Sequence, residues 1–287
     1  MEAKKLEGKT IAASLQKTIA DKVRAITAGG LPAPKLVSIQ TSEDSSAAWY
    51  IGQQEKLAVK LGINFQKIPS SDIENKKVLF EKVKRLSADP SVHGLFISMP
   101  LPKDFDADKV LLAMDPHKDV EGIHPASLGL IMLRKGKLIP PTAYAAFTLI
   151  KSSGVMLHGK KAAIAGQSAI VGRPLQLLLG ENRVTTFVCN TGTSEDDMKK
   201  IIGGADIVIG CAGKPGLIKG EWIKKGAVVI DVGTTEVEGK LVGDVEFEAA
   251  SKKAAYITPV PGGVGPLTVT MLMENLIKAY EWQTQNG

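Results

Sequence analysis

The sequence predicts an α/β fold built from two successive α/β units, each around a parallel sheet. Three observations carry this. Short apolar runs alternate with helical patterns in two series along the chain, which is the order of βαβ units. A glycine-rich turn joins a strand to a helix in the second series. A hydrophobic content of 44% over 287 residues supplies core for two modest domains, and 23% charged residues fit a globular chain rather than a disordered one.

Ile11, Leu15, Ile19, Val23 and Ile26 recur at helical spacing and predict an amphipathic helix over 9–28. "KLVSIQ" (35–40) reads as a short buried strand, followed by a helix that contains "SSAAWYIGQQEK" (45–56) and runs to Leu61. "INFQKI", a helix over 73–88 and the strand "VHGLFIS" (92–98) continue the alternation. After "MPLP" come a short helix near 106–114 and an irregular charged loop, "DPHKDVEGIHP" (115–125). The second series starts near Pro140 with the helix "TAYAAFTLIKSSG", the strand "KKAAIAG" and the helix "RPLQLLLG". The strands "VTTFVC", "DIVIG", "AVVIDVG" and "YITPV" follow, with a hairpin in "EVEGKLVGDV" and a long C-terminal helix in "GPLTVTMLMENLIKAYEW".

Composition narrows the function. No apolar run approaches the ~18 residues of a membrane span, and the first residues, "MEAKKLEGKT", have no apolar leader. Cys189 and Cys211 give neither a disulfide framework nor metal-ligand spacing, which suits a reducing cytoplasm. The four histidines are scattered, and no metal is expected. The net charge of +6 lies in dispersed lysine pairs, which read as solvated faces or as attraction for anionic small molecules; nucleic acid is less favoured, since aromatics are only 5% and no basic stripe appears.

"AIAGQSAIVGRP" follows a strand and opens a helix, the setting a phosphate-binding turn needs. Gly166 permits the tight turn and Gly172 allows close helix–strand packing, while the helix N-terminus offers N–H groups to anionic oxygen. The next strand ends "VCNTGTS", with no carboxylate to hold ribose hydroxyls, and only Arg173 stands near for a 2′-phosphate. NAD and NADP both stay open.

"YITPVPGGVGPLTVTML" (256–272) is more specific: a strand runs into a dense Pro/Gly turn and then a helix. This segment, with "GQSAIVGRP", "GKPGLIKGEWIKKGAVVIDVG", "VGDVEFE", "MPLP" and "DPHKDVEGIHP", resembles the FolD family of methylenetetrahydrofolate dehydrogenase/cyclohydrolases over nearly the whole chain. The resemblance implies a folate-binding catalytic domain (1–139 plus 264–287) and a Rossmann-like NAD(P)-binding domain (140–263). The C-terminal helix would return to the first domain, and the protein would be a cytoplasmic homodimer. The implied chemistry is oxidation of 5,10-methylenetetrahydrofolate to the methenyl cation by hydride transfer to NAD(P), then hydrolysis to 10-formyltetrahydrofolate. The implied cofactor contacts are Gly166, Gln167, Ser168, Gly172, Arg173, Cys189 and Thr234. Those for folate are Tyr50, Gln54, Ile97, Ser98, Met99, Glu121, Pro261, Gly262, Gly263, Val264 and Gly265.

The catalytic positions depart from the family pattern. Tyr50 matches its tyrosine, Lys56 its second lysine and Gly62 the glycine after the helix, so the catalytic lysine position is Gln54. Lys56 cannot substitute, because two residues along a helix is about 200° around its axis. Ser98 stands where the family has a glutamine and Glu121 where it has the pterin-binding aspartate; Gln167 and Cys189 also depart, as does "PPTAYAA". A neutral Gln54 amide, offering its oxygen, is compatible with the positive charge that hydride loss builds. It does not titrate near neutral pH, so water activation is expected to be weak or lost. The other readings are an ordinary bifunctional enzyme, a silent folate- or dinucleotide-binding paralogue, and a scaffold redirected to another substrate.

Overall fold

The computed structural model describes residues 2–285. In chain order the first elements are β1 (Lys4–Lys5), α1 (Gly8–Ala28), β2 (Lys35–Ile39), α2 (Ser45–Leu61), β3 (Asn64–Ile68), α3 (Lys76–Ala88), β4 (Gly94–Ile97), α4 (Ala107–Leu112), α5 (Pro125–Met132) and α6 (Pro141–Ser152). There follow β5 (Lys161–Ala165), α7 (Gly172–Glu181), β6 (Thr185–Cys189), α8 (Glu195–Gly204), β7 (Ile207–Gly210), β8 (Val228–Asp231), β9 (Thr235–Val237), β10 (Lys240–Val242), α9 (Phe247–Ser251), β11 (Tyr256–Ile257) and α10 (Val264–Gln285).

The chain divides into two compact units: Ala13–Pro141 with the chain from Val269, and Thr142–Thr268 with the chain up to Ala12. The domain limits expected from sequence differ in two places. Residues 2–12 group with the second unit because β1 pairs in parallel with β11 (Lys4 opposite Tyr256). The division near the C-terminus falls within α10, after Thr268, rather than before Val264.

In the unit containing residues 13–141, β2 lies between β3 and β4, all parallel. Strand alternation sorts its residues onto two faces. Val37, Ile39, Leu95 and Ile97 pack with Leu79, Val83 and Leu86 of α3. Leu36 and Phe96 turn the other way, onto Ile51, Ala58 and Leu61 of α2, Ile19 and Val23 of α1, and Leu272 and Leu276 of α10. Ser38 and Ser98 share that second face by the same two-residue period. Helix α2 begins where the Asp44 carboxylate accepts the Ser46 N–H at 2.7 Å and stops at Gly62, which takes a left-handed φ of 75°.

In the other unit the six strands run β1–β11–β8–β7–β5–β6, every neighbouring pair parallel. The chain leaves β5 toward β6 on one side and returns to β7 on the other. The C-terminal ends of β5 and β7 therefore flank the switch point where open α/β sheets bind ligands. The hairpin expected in "EVEGKLVGDV" is present as antiparallel β9 and β10. Four elements were not foreseen from sequence: β1, α5, α8 and α9. No helix among the described residues is long and apolar enough to cross a membrane.

Candidate functional site

In the unit of residues 13–141, Tyr50 and Gln54 stand one turn apart on α2. Tyr50 is half-buried and its ring tilts against Phe96 of β4, centroids 5.6 Å apart. Gln54 is fully buried. Lys56, two residues on, is exposed, as the helical geometry requires.

The Gln54 amide is oriented by its neighbour on β2. The Ser38 hydroxyl donates to Gln54 Oε1 at 2.7 Å, and Nε2 is buried without a protein partner. This corrects the expectation of a free amide oxygen: Ser38, on the sheet face toward α2, occupies that oxygen. The group left over is an N–H donor.

Ser98, just past Ile97 at the end of β4, is also committed elsewhere. Its Oγ accepts the Thr41 N–H at 2.9 Å, and Thr41 Oγ1 donates to the Ser98 carbonyl at 2.7 Å. The Ser98 hydroxyl thus ties the end of β4 to the loop after β2. Met99, next along, is partly exposed.

Glu121 lies in the loop before α5. Burial, then the nearby Asp119 carboxylate, pushes its carboxyl up to about 8. Burial and the charge of Glu121 in turn raise the Tyr50 phenol, which stays protonated. Between the ordinary glutamate range and about pH 8, folded protein holds a proton that the unfolded chain has lost. Stability from this group therefore falls as pH rises through that window and levels off above it. Glu121→Gln is expected to raise Tm over the parent more at about pH 9 than at about pH 5. A Tm difference independent of pH would contradict this.

The other unit holds the glycine turn. Gly166, at the end of β5, has φ of 123°, and a Cβ there would sit 2.4 Å from the Cys211 carbonyl oxygen after β7. Its N–H donates to the Cys189 carbonyl at 3.0 Å, which draws the end of β6 to the turn. A Cβ on Gly172 would lie 2.2 Å from the Gly166 oxygen, so helix α7 approaches the turn as closely as the sequence suggested. The Ser168 hydroxyl accepts the Val171 N–H at 3.2 Å, and the Ser168 carbonyl accepts the Arg173 N–H at 3.1 Å. Gln167, Ser168 and Arg173 are exposed, and no side chain caps the N-terminus of α7. That exposed turn with an uncapped helix start fits a phosphate group. Thr234, after β8, is exposed.

Two buried aspartates that sequence reasoning passed over shape the same edge of the sheet. Asp244 Oδ2 accepts the N–H groups of Ala212 (2.6 Å) and Gly213 (3.1 Å). Asp231 accepts those of Gly233, Asp244 and Val245 at 2.9–3.0 Å. Burial raises Asp231 to about 6 despite these bonds. Their signal was the pairing of each aspartate with glycines: a Cβ on Gly243 would meet Asp231 Oδ2, and one on Gly233 would meet Asp244 Oδ1.

The Pro261–Gly265 turn starts α10 in this second unit. Gly262 has φ of 112°, and its carbonyl accepts the Gly8 N–H at 3.1 Å. Gly263 is buried, and a Cβ there would sit 2.7 Å from the Pro259 oxygen; Val264 is buried while Pro261 and Gly265 are exposed. The expected folate residues are thus shared out: Tyr50, Gln54, Ile97, Ser98, Met99 and Glu121 in one unit, 261–265 in the other.

Comparison with known proteins agrees with this architecture along the whole chain. Residues 6–121 match the catalytic domain of tetrahydrofolate dehydrogenase/cyclohydrolase, and residues 140–284 match its NAD(P)-binding domain. The bifunctional protein FolD 2 of Geobacter metallireducens is 42% identical over 277 residues, spanning 96% of this chain and 95% of that protein. The FolD structure of Trypanosoma brucei, solved with NADP and an inhibitor, has a TM-score of 0.93 at 34% identity, covering 99% of both chains. A 5,10-methylenetetrahydrofolate dehydrogenase from the silkworm Bombyx mori has a TM-score of 0.92 at 33% identity, covering 99% of this chain and 100% of its own. The chain belongs to the tetrahydrofolate dehydrogenase/cyclohydrolase family, FolD.

Proposed function

We propose that this protein oxidises 5,10-methylenetetrahydrofolate to the methenyl cation with NAD(P) and that its cyclohydrolase step is weak or lost. The observation that carries the proposal is the buried Gln54 amide, its oxygen held by Ser38, at the position the resemblance matches to the family's lysine. Hydrolysis of the cation needs water to attack and protons to move. An amide N–H neither accepts a proton near neutral pH nor stabilises a cation. Ser98 supplies no substitute, because its hydroxyl is bonded to Thr41.

Hydride transfer asks less of these side chains, since it depends chiefly on placing donor and acceptor carbons together. Gly166, Gln167, Ser168, Gly172, Arg173 and Thr234 would hold the dinucleotide, with its phosphates at the uncapped start of α7; Cys189, expected among them, buries its side chain in the core and meets the turn only through its carbonyl. Bound there, the nicotinamide supplies the hydride acceptor. Tyr50, Met99 and Glu121 would bind the folate; Ile97, expected there, instead packs its side chain against α3 on the other face of the sheet. Tyr50 offers a ring face, and Glu121 a carboxyl group for the amino-pyrimidine edge of the pterin.

The ordinary bifunctional reading has its own support, because the Geobacter relative is named a bifunctional protein and the Trypanosoma structure a dehydrogenase-cyclohydrolase, although the Bombyx structure is named a dehydrogenase alone. The two readings part at one assay. Cofactor reduction and methenyl absorbance are followed together after adding methylenetetrahydrofolate. The dehydrogenase reading expects reduced cofactor and methenyl product to rise in step. Reduced cofactor without methenyl accumulation would favour the bifunctional enzyme, and no cofactor reduction would favour a silent binder.

Tyr50→Ala is expected to raise the folate dissociation constant about tenfold, the equivalent of ~1.4 kcal/mol of lost ring contact. Calorimetry showing an unchanged constant would remove Tyr50 from the folate site.

A further inference from the structure

We propose that Asn275 and Asp119 are positioning residues for folate binding, holding the turn that carries Glu121 from two sides. The inference rests on the reading that Glu121 faces the pterin.

Asn275 lies on α10 and is 1% exposed. Its Nδ2 donates to the Val120 carbonyl at 2.9 Å and to the Ile139 carbonyl at 2.8 Å. The Val120 carbonyl belongs to the peptide group leading into Glu121. Fixing that plane fixes the direction in which the Glu121 side chain leaves the backbone. Asp119 is fully buried, and its Oδ2 accepts the His124 N–H and the Ser127 hydroxyl, both at 2.8 Å. Its carbonyl accepts the Gly122 N–H at 3.2 Å, closing the turn around Glu121. Gly122 completes the clamp: it has φ of 62°, and a Cβ there would lie 2.8 Å from the Leu138 oxygen.

The second oxygens, Asp119 Oδ1 and Asn275 Oδ1, are buried without protein partners. Asp119 is therefore held by its bonds to His124 and Ser127, and Asn275 by the Val120 and Ile139 carbonyls that it joins. A glutamate reaches one methylene further than an aspartate and has one more torsion to fix. The rigid turn limits that freedom to the side chain alone.

The test is a double-mutant cycle on the full-length protein, with the dehydrogenase reaction as readout. Asn275→Ala is expected to raise the KM for methylenetetrahydrofolate about five- to tenfold, with kcat and the KM for NAD(P) within about twofold of the parent. In a Glu121→Gln background the same substitution should add less than about twofold, because residues acting through one another are non-additive. An equal factor in both backgrounds would overturn the positioning role while leaving Glu121 in the site, and so would an unchanged folate KM in Asn275→Ala. If Glu121→Gln itself leaves folate KM unchanged, the Glu121 reading fails and takes this inference with it. Should Asn275→Ala not fold, Ser127→Ala runs the same cycle by removing one of the two side-chain bonds at Asp119. Additive behaviour there overturns the role, and non-additive behaviour supports it.

Discussion

Replacing Gln54 with lysine is expected to raise methenyltetrahydrofolate hydrolysis by about 10²-fold, since a positioned acid–base group is worth ~10²–10⁴ in rate. The site is prepared for it. Residue 54 is fully buried, on the helix face it shares with Tyr50, and the Ser38 hydroxyl stands within hydrogen-bonding reach. Burial disfavours a charged ammonium, so a lysine there would lose its proton more readily than in water and serve as a base near neutral pH. Adding Ser98→Gln is expected to give more than the two single gains combined, because groups that act together in catalysis are non-additive. That glutamine would also have to satisfy the Thr41 N–H now bonded by Ser98 Oγ. Stopped-flow decay of methenyl absorbance checks both variants. No gain from Gln54→Lys, alone or paired, would mean that residue 54 is not the step's missing group.

Gly166→Val should abolish cofactor binding, raising the dissociation constant for NAD or NADP by at least about 100-fold, or ~2.7 kcal/mol. A Cβ at 166 meets the Cys211 carbonyl oxygen at 2.4 Å, and φ of 123° is closed to a β-branched residue. The turn has to move, and its N–H bond to Cys189 and the close approach of Gly172 depend on where it lies. The folate residues around Tyr50 belong to the other unit, so folate titration separates a local loss from general unfolding. Parent-like cofactor affinity in this variant would remove the dinucleotide from the Gly166 turn.

The βαβ alternation was legible because its central strands are short, mostly apolar and almost entirely buried: "KLVSI", "GLFI", "IVIG" and "VVID" carry the signal without tertiary information. Helix α8 had a readable start, Ser194 capping Asp197 with three acids in the first turn, but "SEDDMKK" has few apolar residues to mark a period. Strand β1 is two residues long and exists through its pairing with β11 near the far end of the chain, which no local pattern announces. That same long-range pairing moved the first residues into the other unit.

The site shows the same division. The register of α2, read from Tyr50 and Gly62, was enough to put Gln54 on the buried face beside Tyr50 and to turn Lys56 away. The direction of the Gln54 amide was not legible, because Ser38 reaches it from a neighbouring strand whose approach depends on packing. Asn275, Asp231 and Asp244 went unnoticed for a similar reason. Their partners are backbone groups, which no residue type marks; only the glycines at 233 and 243 hinted at the two aspartates.

The central claim is that this scaffold retains hydride transfer without an effective means of activating water. Its most direct test is the decay of authentic methenyltetrahydrofolate absorbance with and without the parent protein, corrected for buffer catalysis. The expected result is a decay within about twofold of buffer alone, under conditions where the same protein reduces cofactor on addition of methylenetetrahydrofolate. Acceleration of that decay by ~10²-fold or more, the scale of a working acid–base group, would contradict the account.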